Sequence, residues 1–158
     1  MLFWRIAKET AKYSADDMSG GGAAASGGRW NHKGCALVYA SSSIALACLE
    51  TLAHLGAGIA GRNRYLIEIT VPQRVWKARQ TESPSTLSPQ WSAEPPGLYS
   101  MTLGTEWVQN GACALLEVPS VIIPEEINIL INPSHRDAKK MTARVVRQFV
   151  YDPRLGKP

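Results

Sequence analysis

The sequence predicts an α+β fold in a single domain spanning residues 1–158, with curved, mostly antiparallel β-sheets and flanking helices. Three observations lead there. Short runs rich in Val, Ile, Leu and aromatics recur along the chain, bounded by Gly, Pro or Asn, as strands of a sheet are. Between the second and third of these runs lies a segment with the composition and punctuation of a helix. No internal repeat or linker divides the 158 residues, and 45% hydrophobic against 19% charged residues suits one globular domain with a sizeable core.

Taken in order, the first strand is Leu2–Ile6. Arg5 and Lys8 interrupt the opening MLFWRIAKET, which has no long apolar stretch, so neither a signal peptide nor a membrane span is expected and a cytoplasmic location follows. The small-residue run SGGGAAASGG does not fit a dinucleotide-binding loop, because no strand precedes it and no helix is expected after it. Ala36–Tyr39 is the second strand. In SSSIALACLETLAHLGAG, Ser41–Ser43 supply the cap of a helix, good helix formers follow, and Gly56 and Gly58 provide the stop. Tyr65–Val71 is the third strand. The segment from Gln80 to Ser100 holds four prolines and little periodicity, which predicts a long loop covering one face. A short helix in TLGTEWVQNG leads to strands Ala114–Val118 and Ile127–Ile131. DAKKMTARVV is read as beginning with another helix, ahead of a last strand Val145–Tyr151.

The formal charge of +4 and pI near 9.1 suit an anionic partner. However, Arg62, Arg64, Arg136, Lys139, Lys140, Arg144 and Arg147 are spread over two regions without interleaved aromatics. They read as solvated faces, and no direct nucleic-acid binding is expected. Cys35, Cys48 and Cys113 are odd in number, far apart and set among apolar neighbours, a pattern of buried reduced thiols.

Polar residues in unusual settings are the candidates for chemistry. In SGGRWNHKG, Arg29 and Trp30 stand between glycine segments, where the backbone could approach a planar anion closely. On a helical wheel Ile44, Cys48, Leu52 and Leu55 cluster on one side, with Glu50 and His54 roughly opposite among apolar residues. A carboxylate there must reach a cleft or find a donor, or it would neutralise. The plainer alternative is a Glu50–His54 pair at i,i+4, worth tenths of a kcal/mol. Ser120 lacks a G-x-S-x-G setting, the three histidines lack metal-ligand spacing and no phosphate-binding loop is present, so no metal site is expected.

The order GGRWN, LVYAS, ALACLETLAH, VPSVIIPEEINILINPSH and FVYDPRL, from about Trp4 to Leu155, resembles the RES domain family, toxins of bacterial toxin–antitoxin pairs named for an arginine, a glutamate and a serine. LSPQW at Leu87–Trp91 and GTEW at Gly104–Trp107 are similar to family features as well. His32 and Lys33 depart from the proline that many relatives have after the Asn31 position. Carried over by position, the resemblance places the arginine at Arg29, a tyrosine at Tyr39, the glutamate at Glu50 and the serine at Ser120, the catalytic set. Arg29, Trp30, Tyr39, His54 and Asn132 are then expected to hold NAD.

The resemblance implies an ADP-ribosyltransferase (diphtheria-toxin-like) fold and an activity that consumes NAD, with NAD as substrate and no metal or other cofactor. Glu50 would stabilise the oxocarbenium-like ribose left when the nicotinamide–ribose bond breaks. Arg29 would clamp the pyrophosphate, Tyr39 would stack on the nicotinamide, and Ser120 would hold a ribose or amide group by hydrogen bond. The acceptor would be water or phosphate, with a protein side chain as the alternative. The resemblance also implies a cognate helix-turn-helix (Xre-like) antitoxin and leaves room for a homo-oligomer within that complex. A non-catalytic module that holds the antitoxin or a nucleotide, and an RNA-cleaving toxin using His32, His54 and His135, are the competing classes.

Overall fold

The computed structural model describes residues 1–55 and 63–155. Among them, seven strands share one sheet: β1 (Leu2–Lys8), β2 (Val38–Ser41), β3 (Arg64–Thr70), β4 (Gln80–Thr81), β5 (Leu115–Pro119), β6 (Ile127–Ile131) and β7 (Thr142–Gln148). Their order is β4-β5-β6-β2-β1-β3-β7. Only the β4–β5 pair is parallel, so the expected mostly antiparallel α+β architecture is what forms. The helices are α1 (Gly21–Ser26), α2 (Ile44–Leu55), α3 (Gln73–Lys77) and α4 (Leu98–Asn110).

The central strands read as nearly continuous hydrophobic runs because both sheet faces are buried. Alternate residues of one strand enter different cores. Leu115, Ile129 and Ile131 join Phe3, Ile67 and Ile69 in one cluster, while Leu116, Val118 and Leu130 join Trp30, Trp91 and Trp107 in another. A third, smaller cluster, Ile6, Ala47, Leu66 and Phe149, seats α2 on the sheet.

The loop expected over Gln80–Ser100 does cover a face. Leu87 and Trp91 descend from it into the second core, and the Trp91 ring lies 6.4 Å from that of Trp30 at an interplanar angle of 22°. A 3-10 turn at Pro89–Ser92 presents Trp91, and α4 begins at Leu98, inside the segment read as loop. Gly111 closes α4 with φ of 62°, a left-handed terminus that glycine adopts without strain.

Several elements differ from the sequence reading. The run GGAAAS forms α1, since three alanines at the top of the helix-propensity scale need only one turn's worth of partners. Helix α3 was not expected; it is held by Val75 in the main core and Trp76 against Phe3. DAKK makes only a 3-10 turn, Arg136–Lys140, and the last strand starts at Thr142 rather than Val145 because its partner β3 extends pairing as far as Thr70. Cys113 is buried as expected, but Cys35 and Cys48 are only half-buried, Cys35 in the turn before β2 and Cys48 on the flank of α2. The stop expected at Gly56 and Gly58 lies outside the described residues.

Candidate active site

Helix α2 brings Glu50 to the sheet. Ser43 caps the helix, its Oγ accepting from the Leu46 amide at 3.0 Å and donating to Glu126 Oε2 at 2.9 Å. Such a cap contributes about 1 kcal/mol. The face turned inward carries Leu46, Ala47, Glu50 and Thr51, spaced three and four residues apart, whereas Ile44 and Leu49 are exposed. The side of the helix bearing the carboxylate is therefore the one that packs.

Glu50 is fixed from two strands. Its Oε1 accepts from Ser120 Oγ at 2.8 Å and from the Asn128 side-chain amide. Asn128 stands directly opposite Ser41 in the β2–β6 register, and Ser41 Oγ donates to Asn128 Oδ1 at 2.7 Å, which leaves the Asn128 NH2 pointing to the carboxylate. Ser120 is fully buried, and its oxygen also accepts from the Ile122 and Ile123 amides at 3.1 and 3.2 Å. Its hydroxyl thereby holds Glu50 Oε1 against the sheet. Both bonds fall on Oε1, and among the described residues Oε2 has no hydrogen-bond partner. Glu50 lines a cleft of about 410 Å³ shared with Arg29, Tyr39, Ser41, His54 and Asn128.

His54 does not pair with the Glu50 carboxylate. Its Nδ1 donates to the Glu50 carbonyl oxygen at 2.7 Å, so the simple helical ion pair is not what forms. The exposed imidazole stays at the cleft wall.

The turn that carries Arg29 is closed by a bridge between Gly28 and Asn31. Asn31 is fully buried; its side-chain amide donates to the carbonyls of Ala23, His32 and Cys35 at 2.9, 3.2 and 3.0 Å. Tyr39 completes the turn, its hydroxyl donating to Asn31 Oδ1 at 2.7 Å and accepting from the Trp30 amide at 3.1 Å. Burial pushes the Tyr39 phenol pKa up, so it stays protonated as that donor role requires. The glycines have a use here that the sequence did not suggest. A Cβ on Gly28 would lie 2.7 Å from the Tyr39 hydroxyl, so the missing side chain makes room for tyrosine rather than only for a ligand.

At the tip of this turn the two prominent side chains part. Trp30 is 3% exposed and enters the second core, with its backbone oxygen pressed against Gly104 of α4. Arg29 reaches the segment after Trp91: Nη1 donates to the carbonyls of Trp91 and Ala93 at 3.2 and 2.8 Å, and Nη2 to Glu94 Oε2 at 2.7 Å. A second guanidinium, Arg5, lies in the same cleft; Nη1 donates to the Asp17 carbonyl at 2.8 Å, and burial lowers its pKa.

Of the residues expected from sequence, Arg29, Tyr39, Glu50 and His54 meet at one cleft, Trp30 contributes to its wall from the core, and Ser120 supports it from behind. Asn132 is elsewhere. Its amide donates to the Val108 carbonyl at 3.0 Å and its oxygen accepts from the Ser134 amide at 3.0 Å, tying the end of β6 to α4. Sequence reasoning passed over Ser41, Asn128 and Arg5. The available signal was a polar side chain within an apolar strand, as Asn128 is in INILI, since a buried amide must have partners. Among the described residues no group of three or more His, Cys, Asp or Glu could hold a metal ion, and no helix is long and apolar enough to cross a membrane.

The model of the RES domain matches residues 2–152 of the chain. The chain is 54% identical over 153 residues to the Prs ADP-ribosylating toxin of Sphingobium sp. (strain YBL2), covering 97% of this chain and 95% of that protein. It is 35% identical to Toxin Res of Yersinia enterocolitica, covering 98% of this chain and 99% of that protein, and 34% identical to Toxin Res of Photorhabdus laumondii, covering 99% and 98%.

Proposed function

The chain belongs to the RES domain family of toxins, and from that premise we propose that it cleaves the nicotinamide–ribose bond of NAD and transfers the ADP-ribosyl group to a protein side chain. The observation that carries the reading is Glu50: one carboxylate oxygen is held by Ser120 and Asn128, and the other is open to a cleft that also holds Arg29 and Tyr39. A cleft of about 410 Å³ lies in the range of small-molecule sites.

In this reading the bond between ribose C1′ and the pyridinium nitrogen breaks, and its electron pair neutralises the ring as nicotinamide leaves. Positive charge develops on the ribose next to Glu50 Oε2, whose position is already fixed, so stabilising that charge requires no reorganisation. The Tyr39 ring forms a flat wall for the nicotinamide while its hydroxyl stays committed to the turn. Arg29 holds the pyrophosphate through guanidinium hydrogens not used on the Trp91 and Ala93 carbonyls. The acceptor nucleophile bonds to C1′ and loses its proton to solvent. A protein acceptor is favoured by the 54%-identical relative, whose name specifies Prs. The partner that restrains the activity is an antitoxin of the helix-turn-helix, Xre-like kind covering the cleft.

The test is to incubate purified chain with NAD, with and without inorganic phosphate and with and without purified Prs, and to identify products by mass. ADP-ribose on Prs supports the reading. Free ADP-ribose or its phosphorylated form as sole product reassigns the acceptor to water or phosphate. Unchanged NAD beside an active control overturns NAD cleavage.

A further inference from the structure

We propose that Glu94 lowers the affinity of the cleft for its anionic ligand: its carboxylate occupies the part of the Arg29 guanidinium that a diphosphate must take, and binding exchanges one anion for the other. This rests on the reading of Arg29 as the anion clamp.

The three acceptors on Arg29 are not equivalent. The Trp91 and Ala93 carbonyls are neutral, and Trp91 is anchored in the core against Trp30. They fix the guanidinium in place and put no charge on it. Glu94 Oε2 is anionic, sits 2.7 Å from Nη2, and belongs to a side chain that is 76% exposed, while that of Arg29 is 15% exposed. Glu94 can therefore swing into water, whereas Arg29 cannot follow it, and the Nη2 it vacates is free to take the ligand. A guanidinium offers five N–H donors in one plane, and a diphosphate gains most from taking two together. With Nη1 spent on carbonyls, those two must come from the Nε and Nη2 edge, where Glu94 both uses a donor and adds like-charge repulsion. Among the described residues no other carboxylate contacts Arg29. An ion pair with so exposed a partner contributes little, so the competition is worth a factor of about 1.5 to 5 in ligand affinity.

Glu94→Gln keeps an oxygen to accept from Nη2 and removes the charge; Glu94→Ala removes both. Binding of ADP-ribose by calorimetry, NAD turnover and thermal unfolding would be measured on the parent and both variants. The expected result is a fall of about 1.5 to 5-fold in ADP-ribose Kd and NAD KM in both variants, with kcat unchanged. Unchanged or weaker binding by a Glu94→Gln protein of parental thermal stability overturns the inference and leaves the clamp standing. Weaker binding together with a lowered Tm makes Glu94 a fastener of the 91–94 segment and overturns it too. A parent that binds neither ADP-ribose nor NAD overturns the clamp and this inference together.

Discussion

Glu50 presents one hydrogen-bonded oxygen to the protein and one to the cleft, and this division gives its substitutions a distinctive signature. Glu50→Gln is nearly isosteric but offers no full charge to an oxocarbenium-like ribose. Turnover is expected to fall by about 10²–10³ with NAD binding little changed, as for other preorganised electrostatic groups; single-turnover kinetics beside equilibrium binding would check it. A variant that consumes NAD at the parental rate would remove the mechanism proposed. Ser120→Ala has a different profile. Loss of the hydroxyl leaves the Ile122 and Ile123 amides without their acceptor and frees Glu50 to turn. The expected cost is about 1–3 kcal/mol of stability, read by urea unfolding, with kcat reduced and KM near normal. A Ser120→Ala protein of parental stability and kcat would show that the buried hydroxyl neither holds the loop nor positions the carboxylate.

At the scale of elements, the turn Gly28–Asn31 and strand β2 form one hydrogen-bonded piece, joined by Tyr39 and Asn31. Gly28→Ala places a methyl 2.7 Å from the Tyr39 hydroxyl and 2.9 Å from Asn31 Oδ1, which are hydrogen-bonded to each other. We expect the turn to open, lowering stability by about 1–3 kcal/mol as the buried Asn31 loses its donor, and Arg29 to leave the cleft. Thermal unfolding and NAD binding would fall together; a Gly28→Ala protein unchanged in both would mean the turn adapts at no cost. The contrast with α2 is instructive. Its cap at Ser43 was legible from local composition, but its packing face was not, because the helix is apolar nearly all round and periodicity alone could not distinguish the sides.

On the scale of the whole molecule, the cleft is assembled from segments distant in sequence: the Arg29 turn, α2, β6 and the segment after Trp91 that Arg29 pins. An NAD-consuming activity in such an open cleft would harm its host unless covered. The chain is therefore expected to slow growth strongly when expressed alone and little when expressed with a cognate antitoxin, and Glu50→Gln is expected to relieve the effect without the antitoxin. Equal growth in all three cases, at matched protein levels, would count against a toxin acting through this site.

Local sequence determined the strands that are continuous apolar runs, β6 among them, the start of α2 at its serine cap, and the covering role of the loop that carries Trp91. Those features depend on residues a few positions apart. Resemblance of motif order marked Arg29, Tyr39, Glu50 and Ser120. Only the tertiary structure decided what each touches. Asn128 became a partner of Glu50 through the β2–β6 register, Asn132 was drawn to α4 instead, and DAKK lost its helix to strand pairing by β7. The physical reason is the same in each case. Buried polar groups must find partners, and the partners lie wherever the sheet brings them, up to 78 positions away for Asn128 and Glu50.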